Sequence, residues 1–74
     1  MLFKNSKKKK LETYLIANRD KLYKIAFIYL KNREDALDII QDSIVKSYLC
    51  IDKLKKIEAL EKWFIRLLIN TCID

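Results

Sequence analysis

Glycine, proline and histidine are all absent from this 74-residue sequence. Each absence removes a class of structure or chemistry. Without Gly or Pro the chain lacks the strongest helix breakers and the usual residues of tight turns, which predicts an all-α chain with very short connections. A phosphate-cradling glycine loop and a dinucleotide-binding fingerprint are excluded on the same ground. Without histidine, zinc sites and imidazole acid–base chemistry lose their usual groups. A nucleophile would have to be served by a lysine or carboxylate base. The two cysteines, Cys50 and Cys72, lie far apart with no CxxC spacing, and read as small core or helix-surface thiols rather than a disulfide. No stretch approaches the roughly 18 uninterrupted apolar residues of a membrane span, and the first residues lack the apolar region and small-residue cleavage site of a signal peptide. The expectation is a cytoplasmic binding module, not an enzyme, with no catalytic residues, no cofactor and no metal.

What is present points the same way. Hydrophobic residues make up 51% of the chain, as one small domain with a dense core needs, because small domains bury a lesser share of their surface. Sixteen Lys and Arg against ten Asp and Glu give a formal charge of +6, which suits a polyanionic partner. A lysine run such as residues 7–10 fits a solubilising arm equally well.

Residues 1–10, MLFKNSKKKK, show no sustained helical period and read as a basic, flexible lead-in; residues 11–74 form the helical domain. From Leu11 the positions Leu11, Leu15, Leu22, Ile25, Ala26 and Tyr29 recur at steps of three or four, with only Asn18 polar on the seam. One helix over residues 11–30 is preferred, and two shorter helices are the alternative. Residues 31–33 form the first turn. Asn32 can cap the next helix, with Asp35 three residues on in the manner of a capping box and Glu34 beside it at the positive helix end. That helix, residues 34–51, has two faces. Leu37, Ile40, Ile44, Tyr48 and Ile51 share a stripe spaced as a buried seam. Asp38, Gln41 and Asp42 line up on the other side with Val45 and Leu49. Acids and an amide beside outward aliphatics fit another protein's basic, partly apolar surface. Asp38 and Asp42, although four apart, have nothing nearby to complete a metal or acid–base site.

A last helix is expected from near Ile57 or Glu58 to the chain end. Leu60, Phe64, Leu67 and Thr71 lie on its buried face, beside Ile57 and Leu68. Lys62, Arg66 and Asn70 follow at four-residue steps on the opposite face, with Ile69 and Ile73 alongside. Two cations and an amide in line can contact phosphates and base edges, or form an ordinary solvated face. Asp74 ends the sequence without a glycine cap and with the wrong charge for a helix C-terminus, so the helix is expected to continue.

Two motifs in register carry a resemblance. Residues 32–42, NREDALDIIQD, followed by Lys46 and Tyr48, resemble region 2 of the sigma-70 family, in particular its extracytoplasmic-function group. Trp63-Phe64-Ile65-Arg66 with Asn70-Thr71 and Ile73-Asp74 is similar to the same family's downstream segment, and Leu22-Tyr23-Lys24-Ile25-Ala26 to the start of its preceding helix. The resemblance implies a compact helical fold of three to four helices and a role in transcription initiation. It implies that Asp38, Gln41 and Asp42 dock on the clamp helices of the RNA polymerase β′ subunit, with Val45 and Leu49 presented beside them. The connection over residues 54–62 and the last helix would read the promoter's minus-ten element. Asn70 matches a position near the base-recognition loop, and Lys62 and Arg66 would meet phosphates. Trp63 could stack on an unpaired base, but an aromatic beside the Leu60-Phe64-Leu67 seam is read as partly core. The glycine or proline common in the family's connection is missing here, which leaves its base preference open. The family's C-terminal region 4 domain is not in this sequence.

Promoter DNA, core RNA polymerase and an anti-sigma factor are the partners so implied; a membrane-bound anti-sigma factor would hold the protein at the membrane indirectly. The alternative is a helical protein-interaction module bound by an anti-sigma factor without reading DNA. A basic membrane-surface helix suits residues 7–10 but leaves the acidic strip unexplained.

Overall fold

The computed structural model describes residues 6–74 and is all-helical over them. Helix α1 covers Ser6–Ala17, α2 Arg19–Leu30, α3 Arg33–Cys50 and α4 Leu60–Ile73. Two single 3₁₀ turns, Ile51–Lys53 and Ile57–Ala59, lie in the connection between α3 and α4. Helices α2, α3 and α4 pack on one another pairwise, and α1 reaches the first 3₁₀ turn.

The first helical segment differs from the preferred single helix over residues 11–30. It is two helices, interrupted at Asn18 (φ −121°, ψ 23°). The Asn18 side chain donates to the Tyr14 carbonyl at 2.9 Å, the acceptor that its own backbone N–H also uses at 3.1 Å. Asparagine competes for backbone partners in this way and so favours breaks over helix interiors. Helix α1 also begins at Ser6, so residues 6–10 are helical and not a loose lead-in. The Lys7 ammonium donates to the Leu54 carbonyl at 2.6 Å, a tertiary tie that local charge repulsion cannot reveal. The rest of the expected lead-in, residues 1–5, lies outside the described residues.

Between α2 and α3 the chain turns in two residues. With no glycine to use, Lys31 takes the left-handed conformation (φ 54°, ψ 29°), and its N–H closes on the Phe27 carbonyl at 2.8 Å. This conformation costs a non-glycine residue about 1–2 kcal/mol. Asn32 then extends the chain (φ −148°, ψ 128°), and its Oδ1 accepts the Asp35 N–H at 2.9 Å. The expected cap of α3 is therefore in place, worth about 1 kcal/mol.

The core gathers Leu11, Leu15, Leu22, Ala26, Ala36, Ile51, Leu54, Leu60, Phe64 and Leu68. Phe64 is fully buried and meets the Tyr14 ring edge-on at 6.0 Å between centroids. Tyr29, placed on the seam by its spacing, is instead exposed, and Ile25 is half-buried. The buried face of α3 is rotated from the expected one. Ala36, Ser43 and Ser47 are fully buried, whereas Leu37 is 44% exposed and Ile40, Ile44 and Tyr48 are half-buried. Small side chains let neighbouring helices approach closely, and the two buried hydroxyls need no outside partner. Ser43 donates to the Ile39 carbonyl at 2.8 Å and Ser47 to that of Ile44 at 2.7 Å, so burying them leaves no polar group unsatisfied.

At the start of α4 one carboxylate ties three helices. Glu61 pairs with Lys21 of α2 at 2.8 Å and accepts the Tyr14 hydroxyl of α1 at 3.4 Å. Its pairing with Lys21 holds the Glu61 carboxyl below the usual range. Burial, and then the Glu61 charge and hydrogen bond, push the Tyr14 phenol up to about 12. Cys50 and Cys72 are free and half-buried, and burial raises the Cys72 thiol.

Candidate functional site

Two polar strips stand out on the surface, each opposite the buried stripe of its own helix. On α3, burial of Ala36, Ser43, Ser47 and Ile51 turns Asp38, Gln41, Asp42, Val45 and Leu49 outward, away from the core. Val45 is 57% and Leu49 79% exposed. Among the described residues neither Asp38 nor Asp42 has a side-chain hydrogen bond or ion pair. Their acceptor capacity is thus directed away from the fold. Charges without a hydrogen bond or ion pair among the described residues, set beside large bare aliphatics, match the composition of a protein-binding face.

The rotation of α3 enlarges this face. Leu37, Ile40, Gln41 and Ile44 line a groove of about 650 Å³ with Leu22 and Tyr23 of α2, where Arg19, Asp20 and Arg33 also contribute. Gln41 belongs to both the groove and the acidic strip. Spacing alone assigns Leu37, Ile40 and Ile44 to a buried seam and so misses them as surface. The signal that could have found them is the row of small residues at Ala36, Ser43 and Ser47, which marks the tightly packed face by volume instead of hydropathy.

On α4, burial of Leu60, Phe64, Leu68 and Thr71 turns Lys62, Arg66 and Asn70 outward. With Ile65 and Ile69 these three line one shallow groove. Among the described residues neither Lys62 nor Arg66 is in an ion pair. A phosphate placed there would meet two cations with no internal carboxylate to displace. Trp63 is not part of that groove. It is half-buried and packs against the core cluster, in keeping with its place beside the apolar seam.

Among the described residues no group of three or more acids and thiols is arranged to hold a metal ion, and no helix is long and apolar enough to cross a membrane. The arrangement offers surfaces for recognition, one acidic and apolar, the other basic with an amide.

Residues 15–74 match the family described as Sigma-70 region 2, which takes in α2, α3, the connection, α4 and the end of α1. The chain belongs to the sigma-70 region 2 family. It is also similar to a protein of Bacillus subtilis (strain 168) named RNA polymerase sigma factor SigV, with 37% identity over 71 residues. That alignment takes in 96% of this chain and 43% of the relative, so the chain spans less than half the length of that protein. No solved structure matches it. The family resemblance carried by residues 32–42 and 63–74 therefore stands, as does the all-helical fold expected from it. Within this sigma-70 region 2 domain, the acidic strip and groove lie on α3 and the basic strip on α4.

Proposed function

We propose that this chain is the region 2 domain of an extracytoplasmic-function sigma factor, which joins core RNA polymerase to promoter DNA at transcription initiation. Asp38, Gln41 and Asp42 dock on the clamp helices of the β′ subunit, while Val45 and Leu49 supply apolar contact. The connection over residues 54–62 and α4 read the minus-ten element on the non-template strand, Lys62 and Arg66 on phosphates and Asn70 at a base edge. Trp63 contributes chiefly by holding α4 on the core. The name of the Bacillus relative supports the polymerase partner, and membership of the sigma-70 region 2 family supports the role.

The observation that carries the reading is the exposed, internally unpartnered acidic strip of α3 beside bare Val45 and Leu49. Within a chain whose net charge is +6, four acids stand exposed on this one helix, Glu34, Asp35, Asp38 and Asp42. Glu34 and Asp35 serve the helix start. Asp38 and Asp42 have no side-chain hydrogen bond or ion pair among the described residues. An anti-sigma factor is expected to compete for these surfaces, and through it the protein would be held in the cytoplasm or at a membrane.

The test is transcription. Core polymerase is programmed with this protein, and the starts of the resulting transcripts are sequenced for wild type and Asn70→Ala. An altered promoter preference at unchanged polymerase affinity supports base reading by α4. Identical preferences would instead leave a protein-interaction module that does not read DNA.

A further inference from the structure

The fold joins two basic segments that the sequence keeps 47 positions apart. The Lys7 ammonium of α1 sits 2.6 Å from the carbonyl oxygen of Leu54, and Leu54 stands between Lys53 and Lys55, with Lys56 next. The first turns of α1 carry Lys7, Lys8, Lys9 and Lys10, so seven lysines lie on these two segments against three acids, Glu12, Asp52 and Glu58. Lys9, Lys10, Lys53, Lys55 and Lys56 are exposed. The outward side of α3 is mixed, with Asp38 and Asp42 beside Lys46.

Net positive charge is thus concentrated on these two segments. A surface needed only for solubility intersperses the two signs, because like charges brought together repel and oppose folding. Helix α1 holds Lys7 against a connection that is itself basic. An excess of like charge on adjoining elements suits a polyanion, and each phosphate engaged releases condensed counterions.

We propose that the lysines of the first turns of α1 and those of the connection form one phosphate-binding surface, which takes the DNA backbone beside the bases read by the connection and α4. This rests on the promoter-reading role proposed above and adds α1 to it. Lysine is a point charge on a flexible stem and suits phosphate without base selectivity. The surface therefore supplies affinity and position, while sequence preference stays with α4. Leu54 is buried and its carbonyl holds Lys7, which fixes the start of α1 beside the stretch that carries Lys53, Lys55 and Lys56.

The experiment uses the protein assembled with core RNA polymerase and a forked promoter DNA, with binding measured across a salt series. Two variants neutralise the surface, Lys8→Gln/Lys9→Gln/Lys10→Gln in α1 and Lys55→Gln/Lys56→Gln in the connection. Lys7 is left intact so that its tie to Leu54 is kept, and circular dichroism checks helix content. Each variant should weaken binding equally across promoter sequences and flatten the log–log salt slope by about 0.7–0.9 for each phosphate no longer engaged. Lys62→Gln and Arg66→Gln are measured beside them. If these flatten the slope and the α1 variant does not, the α1 surface is refuted while promoter reading by α4 stands. If none of the variants changes the slope, both readings fall together. A flotation assay with phosphatidylglycerol vesicles completes the set. Loss of vesicle binding in the α1 variant, with its DNA slope intact, would overturn the proposal in favour of an anionic lipid surface.

Discussion

Asp42→Ala separates binding from folding because its two effects have opposite signs. The carboxylate is exposed and has no internal partner among the described residues, so its removal leaves no buried group unsatisfied. It sits four residues after Asp38 and four before Lys46 on the surface of α3. Relief of the like-charge pair and loss of the favourable pair are each about 0.2–0.5 kcal/mol and nearly cancel. The better helix propensity of alanine then leaves a net gain of about 0.5 kcal/mol. For a domain of this size that raises Tm by roughly 2–4 °C. Binding moves the other way. A charge-assisted hydrogen bond to a clamp-helix arginine, lost on truncation, is worth about 1.5–3 kcal/mol, which is roughly a 10- to 150-fold rise in Kd for core polymerase. Thermal melts by circular dichroism and titration of immobilised core enzyme measure the two quantities on one preparation. An unchanged Kd refutes the docking role. A lower Tm with parallel loss of binding would show instead that Asp42 supports the fold.

Three further outcomes follow from the packing. Ser47→Leu forces a large side chain into the closely packed side of α3 and should cost about 1–3 kcal/mol in urea unfolding; Ser47→Ala, which takes only a local hydroxyl away from the Ile44 carbonyl, should be nearly neutral, and equal tolerance of both would refute the close-packing account. Asn32→Ala removes the acceptor of the Asp35 N–H and should lower stability by about 1 kcal/mol, with hydrogen exchange rising first at the start of α3. Tyr14, held neutral by burial and by Glu61 up to about 12, adds alkaline sensitivity. Its pKa in the fold lies above the usual 10, so its stabilisation is whole below about pH 10 and is lost as pH rises toward 12. Tyr14→Phe should flatten that part of the pH–stability curve relative to wild type, and tyrosinate absorbance should lose a late-titrating phenol in that variant.

Much of the candidate site was legible in residue order. Opposition of faces on a helix follows from the 3.6-residue repeat, so Asp38, Gln41, Asp42, Val45 and Leu49 on α3 and Lys62, Arg66 and Asn70 on α4 face away from the core as their spacing required. The start of α3 was equally legible because a cap is a local interaction between Asn32 and Asp35. The break at Asn18 was harder to place. Leu15 and Leu22 are buried on either side of it, so the apolar register runs through an interruption made by a side chain competing for the Tyr14 carbonyl. The groove beside Gln41 was hidden for another reason. Hydropathy ranks Leu37 above Ser43 and Ser47, yet close helix approach selects small volume, and it is the serines that are buried.

By itself, then, the sequence determined the helical class, the place where α3 begins and the two outward strips, since each depends on residues within a turn or two of one another. Tertiary structure decided the rest. It set the rotation of α3 about its axis, which depends on how closely α2 and α4 approach. It fixed the left-handed turn at Lys31, which a chain without glycine can hold only because α2 and α3 must pack side by side. It also brought Lys7 to Leu54, so that the lysine-rich start of α1 adjoins the connection, where shared burial of Leu11, Ile51 and Leu54 in one core holds the two together.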